Sequence, residues 1–320
     1  MSNFYTPEGT LIYTRENLEY ISSLQGLEKA MSSGKILEAN AILCDENCRL
    51  HVDLCGIRGY IDREECVYRR EGEKIKDIAI ITRVGKPVCF KVIGIERDCF
   101  GPYVMLSRKE AQRECSRNYL SDIISGDIIP AKVTHVENFG AFVDIGCGIA
   151  SLLSIDCISV SRISHPRDRL SVGMQIDVVV KSIDRENDRI FVSLRELLGT
   201  WEENASEFKP GSTVTGVIRS VESYGIFVEL APNLAGLAEL RESFALPISS
   251  KLGHKAAVYI KSIIPEKMKI KLVLIDIGEK ITEAPPIKYF INSSHTKHID
   301  RWTYSPPVCE KIINSEFEKY

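Results

Sequence analysis

Apolar and polar residues alternate along most of this chain with a period of two, the pattern of strands that bury one face and show the other to water. In Ala141-Phe142-Val143-Asp144-Ile145, the residues Ala141, Val143 and Ile145 fall on one face and Phe142 and Asp144 on the other. Ile190, Val192 and Leu194 alternate with Arg189, Phe191 and Ser193 in the same way. The aliphatic set of each stretch is the expected core face. Helical patterning is confined to short segments. Thr14 can cap a helix that carries Leu18, Ile21, Leu24 and Leu27 and ends around Ser32-Ser33-Gly34. Ser107–Leu120 and Arg195–Ala205 are rich in Arg, Glu, Leu and Ala and lack Pro, which suits short connecting helices.

The alternating strands recur as a unit. Segments starting near Gly34, Gly126 and Gly211, roughly 85–90 residues apart, share one order of features. Leu50-His51-Val52-Asp53-Leu54 corresponds to Ala141–Ile145 and to Ile226-Phe227-Val228-Glu229-Leu230. The turns that follow match as Arg58-Gly59-Tyr60-Ile61, Ala150-Ser151-Leu152-Leu153 and Ala235-Gly236-Leu237-Ala238. Short strands separated by Gly, Asn and Asp turns, without a strand-helix-strand rhythm, predict small antiparallel barrels. The chain therefore divides into an N-terminal helical segment (1–33), a degenerate barrel (34–108), two fuller barrels (126–198 and 209–276) and a Pro- and aromatic-rich tail (277–320). The tail includes Pro285-Pro286, Tyr289-Phe290 and Arg301-Trp302-Thr303-Tyr304. It has no regular pattern, and its aromatics suit closing the end of the third barrel or extending a ligand path, closure being favoured.

Composition narrows the function. With 320 residues, 44% hydrophobic and 27% charged, the chain is long and apolar enough for two or three folded domains. The opening Met1-Ser2-Asn3-Phe4-Tyr5 lacks a signal peptide's basic start, and no run is long enough to span a bilayer, so a cytoplasmic, membrane-free protein is expected; a monomer is the expected state. The 10 cysteines lack the paired spacing of a zinc ribbon and read as reduced thiols. A net charge of −3 excludes coating of nucleic acid by bulk charge, so any such contact has to be local.

Local chemistry is concentrated around two glycines. Asn138-Phe139-Gly140-Ala141-Phe142 and Ser223-Tyr224-Gly225-Ile226-Phe227 each hold two rings three residues apart, positions that a plain strand would send to opposite faces. A kink or bulge at the glycine would bring both rings to the outer face as a stacking platform. Isolated aromatics in strands more often fill the core. Here the repetition, and the aliphatic set already occupying the inner face, favour the platform.

This motif, together with Val172-Gly173 and Ser182-Ile183-Asp184-Arg185-Glu186-Asn187-Asp188-Arg189-Ile190-Phe191-Val192-Ser193-Leu194, resembles the S-one RNA-binding domain, a barrel of the oligonucleotide-binding (OB) fold. The resemblance covers Gly126–Leu194 strongly, Gly211–Asp276 well and Gly34–Arg108 faintly. It implies a mainly β protein of tandem five-stranded antiparallel OB-fold barrels, with short helical connectors and an N-terminal helix. It also implies an RNA face of Phe139, Phe142, Asp184 and Arg189 in the second repeat, with Ser154 where the family has a histidine. In the third repeat Tyr224 and Phe227 match the rings, Lys269 the arginine, and Glu239 the histidine position. Phe191, Lys132 and Arg219 add to these faces, the two cations as phosphate contacts. Lys267, Lys269 and Lys271 alternate with Met268, Ile270 and Leu272, joined by Tyr259 and Lys261, and fit a phosphate track and a solvated edge equally well. The first repeat has Cys48 and His51 at the ring positions and reads as a packing or protein-contact module.

The stretch Arg195–Asn204, with the segments through Glu239, also resembles short ribosomal-protein-S-one-like proteins of low-GC Gram-positive bacteria. That resemblance implies a single-stranded RNA or mRNA binder acting in translation, with the small ribosomal subunit as partner and no cofactor. A protein-binding adapter of the ribosome or of RNA degradation is the alternative, and it accounts for the negative charge, Ser154 and Glu239. An enzyme has least support. No phosphate loop, nucleophile elbow or His-Glu metal helix occurs, and His295-x-x-His298 with Asp300 is a short spacing of low specificity.

Overall fold

The computed structural model describes residues 5–69, 75–239, 251–281 and 286–317. Among these, the alternating segments close into three five-stranded barrels. The first contains β1 (Leu37–Cys44), β2 (Leu50–Leu54), β3 (Ile57–Ile61), β4 (Pro87–Asp98) and β5 (Gly101–Ser107). The second contains β6 (Ile128–Glu137), β7 (Gly140–Asp144), β8 (Ala150–Ser154), β9 (Gln175–Asp184) and β10 (Arg189–Ser193). The third contains β11 (Thr213–Glu222), β12 (Gly225–Ala231), β13 (Leu234–Ala238), β14 (His254–Ile264) and β15 (Lys269–Lys280). In every barrel the strands run around the wall in the order first, second, third, fifth, fourth. The third and fifth strands run parallel in all three. The remaining pairs of the first and third barrels are antiparallel, as is β9 with β10 in the second. Even the degenerate first repeat closes fully.

The predicted inner faces are the cores. Ala141 and Val143 are fully buried, and Ile145, Val192 and Leu194 nearly so. Leu37, Leu50, Leu54, Phe90, Val104 and Leu106 fill the first barrel, and Ile218, Val228, Leu234, Val258 and Ile260 fill the third. At about 1.5–3 kcal/mol per fully buried large aliphatic side chain, such sets are the main source of barrel stability.

The N-terminal helix is interrupted. Thr14 caps α1 (Arg15–Ile21) by accepting from the Asn17 N–H. The chain then leaves helical geometry at Ser23, whose hydroxyl caps a second helix, α2 (Leu24–Ser33), which ends at left-handed Gly34. Two consecutive serines, Ser22 closing α1 and Ser23 opening α2, mark the break. The connectors form α4 (Arg108–Cys115) and α5 (Trp201–Ala205), while α3 (Asp77–Ile81) lies within the first repeat.

The chain folds as two compact units, not one per barrel. One comprises Met1–Ile123, Pro130–Lys132 and Asp144–Ala150, and the other Ile124–Ile129, Val133–Val143 and Ser151–Tyr320. In the second unit the tail is built into the structure. Trp302 and Tyr304, each 6% exposed, belong to the core of the third barrel, and the Tyr304 hydroxyl donates to the Asn233 carbonyl. Phe317 packs with Ile128, Val179 and Leu197, and β16 (Arg301–Thr303) pairs with β17 (Asn314–Glu316). The expected closure by aromatics is what the tail does. Pro285 lies outside the described residues, and His298 Nδ1 is bonded to Asp127 at 2.7 Å. The 10 cysteines are free thiols. Among the described residues no helix is long and apolar enough to cross a membrane.

Candidate nucleic-acid interface

The paired rings stand on the outside of both later barrels, and they have one geometry. Phe139 is 55% exposed and Tyr224 63%, while Phe142 and Phe227 are half-buried. The Phe139 and Phe142 centroids are 6.1 Å apart at 86°, and those of Tyr224 and Phe227 are 6.2 Å apart at 88°. The rings of each pair are therefore perpendicular. Each pair thus offers the face of one ring beside the edge of the other, and not one flat surface across both.

The shared face arises differently from the expected glycine kink. Glu222 pairs with Gly225, so Ser223 and Tyr224 form a two-residue hairpin turn. Asn138 and Phe139 form the same turn between β6 and β7. The first ring of each pair lies in a turn, where strand alternation does not apply, and only the second lies on a strand. The register irregularity falls on the opposite strand, between Ile218 and Ser220. Gly140 and Gly225 serve close approach. A Cβ on Gly140 would lie 2.4 Å from the Leu153 carbonyl oxygen, and one on Gly225 2.7 Å from that of Ala238.

Across the third barrel the outward row is readable from register: Ser220 faces Phe227, Phe227 faces Leu237, and Leu237 faces Lys271. Lys271 thus stands two strand spacings, about 10 Å, from Phe227. That is suited to hold a phosphate of a nucleotide whose base is on the ring. Lys261, Lys267, Lys269 and Lys271 are exposed, and Tyr259 is 39% exposed. Lys267 does not share the strand face of the other two. It closes the turn Pro265–Lys267, after which Met268 takes a left-handed conformation. Glu239 is also exposed, just past β13.

In the second barrel Phe191 is half-buried on β10, in register with Leu152 and Ser182. Arg189 is exposed and faces Asp184 across the last hairpin. Asp184 organises that hairpin by accepting from the Asn187 backbone at 3.0 Å and its side chain at 2.8 Å. These bonds, with Arg189 nearby, hold its carboxyl below the usual range.

Two expected phosphate contacts are occupied elsewhere. The Arg219 side chain is only 7% exposed, with Nε 2.8 Å from Glu229 and Nη1 3.1 Å from Asp168. Breaking such a buried pair costs about 3–5 kcal/mol, whereas an exposed ion pair returns about 0–1 kcal/mol, so Arg219 stays where it is. Lys132 is half-buried and donates to the Glu8 carbonyl at 2.8 Å.

The acids that follow the rings are covered by other parts of the chain. Alternation places Asp144 and Glu229 on the outer face beside Phe142 and Phe227, yet they are 2% and 5% exposed. Glu229 joins Arg169 and Arg219. Asp144 accepts from the backbone N–H groups of Glu8, Gly146 and Gly148, and burial pushes its carboxyl up to about 7. The matching acid positions in the two repeats are visible in the sequence, but not the distant segments that cover them.

Residues 122–195 match the family model described as the S1 RNA binding domain. That span takes in the whole second barrel. Beyond it, the chain is similar to the small ribosomal subunit protein bS1 homolog of Bacillus subtilis, at 27% identity over 277 residues, 85% of this chain and 67% of that protein. It is 30% identical over 239 residues to small ribosomal subunit protein bS1 of Staphylococcus haemolyticus, covering 73% of this chain and 58% of that one. The chain thus spans only part of each relative's length. A solved Streptococcus pneumoniae multidomain protein with nucleic acid binding domains aligns over 76% of this chain and 73% of its own, at 17% identity and a TM-score of 0.24.

Proposed function

We propose that this chain is a non-catalytic binder of single-stranded RNA, mRNA above all, that acts in translation in the cytoplasm as a ribosomal-protein-S1-like protein associated with the small ribosomal subunit. The observation that carries this reading is the pair of perpendicular rings repeated on the outside of two successive barrels. Base stacking on such rings is worth about 1–3 kcal/mol per base and tolerates any sequence, which suits a protein that holds unstructured message. Arg189 and Phe191 extend the second-barrel face, and Lys269 and Lys271 extend the third. Both barrels lie largely in one compact unit, so a nucleotide strand held by one is presented at high effective concentration to the other.

The test is fluorescence anisotropy with an unstructured oligonucleotide. Phe142→Ala and Phe227→Ala should each weaken binding by about 1–3 kcal/mol, and together weaken it further than either alone, with the circular dichroism unchanged. Unchanged affinity in the double variant overturns the reading. A protein-binding adapter is the second reading, favoured by the net charge of −3 and by the engagement of Lys132 and Arg219 in structural contacts. It requires no RNA binding at low salt, whereas RNA binding gives a log K that falls linearly with log salt.

A further inference from the structure

At the positions used by the later barrels, the first barrel carries Cys48 and His51, yet its outer wall is not bare. His51 faces Tyr60 and Tyr60 faces Met105, while Arg58 faces Tyr103. In the third barrel the corresponding row is Phe227, Leu237 and Lys271. Tyr60 therefore stands where the third barrel has Leu237. Tyr103, two residues before Met105, stands where it has Lys269. The aromatic surface has moved from the second strand to the third and fifth strands of the same wall.

These side chains form one connected set. Tyr60 and Tyr103 have centroids 5.5 Å apart at 71°, and His51 lies 4.9 Å from Tyr60. Arg49 lies 5.5 Å from the Tyr60 ring. Arg58 lies 5.8 Å from both the Tyr103 and the Phe100 rings, and Phe100 is 83% exposed.

We propose that this wall of the first barrel is a further site for unpaired nucleic-acid bases, stacked on Tyr60, Tyr103 and Phe100 beside the guanidinium planes of Arg49 and Arg58. The proposal rests on the reading of the chain as an RNA binder and adds a barrel to it. The same wall of the same fold carries the exposed rings in both later barrels, and planar guanidinium groups next to aromatic rings suit flat bases rather than aliphatic side chains. The arginines here are already paired, Arg58 with Asp98 through both terminal nitrogens, at 2.9 and 2.6 Å, and Arg49 with Asp62 at 2.6 Å. The Tyr103 hydroxyl donates to Glu96 and His51 Nε2 lies 3.2 Å from Asp45, so carboxylates outnumber the arginines on this wall. With no surplus of positive charge, the contact is a stacking contact with a shallow dependence on salt.

The test uses the full chain and a 4-thiouridine-containing oligouridylate, with photo-crosslinked peptides identified by mass spectrometry. Crosslinks to peptides carrying Tyr60, Tyr103 or Phe100 are expected. Anisotropy is then measured for Tyr60→Leu with Tyr103→Leu, alone and in the Phe142→Ala, Phe227→Ala background. Leucine is the residue at the matching third-strand position, Leu237, so the barrel wall tolerates it, and the crosslinks in the unaltered chain stand even if the variant folds poorly. The tyrosine pair should weaken binding about five- to hundredfold in both backgrounds while changing the salt slope little. Crosslinks confined to the second and third barrels, with affinity unchanged by the tyrosine substitutions, overturn this site and leave the proposed function standing. Binding that survives the phenylalanine substitutions intact but is abolished by the tyrosine ones supports this site and overturns the ring platform of the later barrels, with the chain still an RNA binder. A chain that takes no oligonucleotide but does bind a basic peptide on this wall overturns both.

Discussion

Glu229 and Lys271 show how differently two charged residues of one barrel behave. Glu229 is 5% exposed and accepts from both Arg169 and Arg219, so Glu229→Gln leaves two guanidinium groups without their shared counter-charge. The second unit should lose about 3–5 kcal/mol, read as a lower urea midpoint with an unchanged slope. Lys271 is exposed. Replacing Lys269 and Lys271 by alanine should leave stability within about 0.5 kcal/mol but flatten the plot of log K for RNA against log salt by about 0.7 for each phosphate no longer neutralised. A double lysine variant with an unchanged salt slope would assign these residues to a solvated edge. Residue types and spacing announce both charges. Whether a carboxylate at the end of a strand faces water or an arginine from a distant loop depends on packing that no local pattern encodes, which is why the sequence offers Arg219 as a phosphate contact and the folded chain does not.

At the scale of the element, the hairpin between the first and second strands carries both ring pairs. The strands, their inner faces and the ring pairs are legible because period two and aliphatic identity are local properties. The reason the rings share a face is not, since an alternation argument assumes that both lie on a strand, whereas Phe139 and Tyr224 lie in turns. The glycine after each turn lets the third strand pass within touching distance of the second. Gly225→Ala places a methyl group 2.7 Å from the Ala238 carbonyl oxygen, and Gly140→Ala places one 2.4 Å from that of Leu153. Backbone acceptors cannot rotate away, so the strands have to part, at about 1–3 kcal/mol by the usual cost of overpacking. Each substitution should lower the melting temperature and weaken RNA binding together, although neither removes a ring. Loss of stability with affinity intact would separate the turn from the interface. The first repeat is harder to read for a related reason: its aromatics sit on the third and fifth strands, and register, not spacing, brings Arg58 beside Tyr103.

For the whole molecule, the division into two units means that the two halves respond to different perturbations, and pH separates them. In the first unit the Glu38 carboxylate accepts from the backbone N–H groups of Gly9, Leu11 and Ile12 through a single oxygen, yet burial pushes it from its ordinary 4.5 up to about 7. Asp144 is raised to about 7 as well, again by burial first and then by Glu8. Glu8 itself is held low by Arg108, against its own burial. For Glu38 and Asp144 the folded unit retains protons that the unfolded chain releases above its ordinary carboxylate range. Their contribution to stability is therefore full below about pH 4 and is lost as pH rises through about 7. Glu8 has the opposite sign and matters only as pH falls below its ordinary 4.5. Between pH 5 and 8 the first unit should thus become less stable, by no more than a few kcal/mol. Glu38→Gln keeps a carbonyl oxygen for the three backbone donors and removes the titration, so part of that slope should vanish while the part due to Asp144 remains. Urea titrations at pH 5 and pH 8, followed by hydrogen exchange at amides of the first barrel and separately of the third, measure the effect where it arises. A slope of equal size in the third barrel, or one that Glu38→Gln leaves untouched, would place the pH sensitivity outside this buried acid cluster.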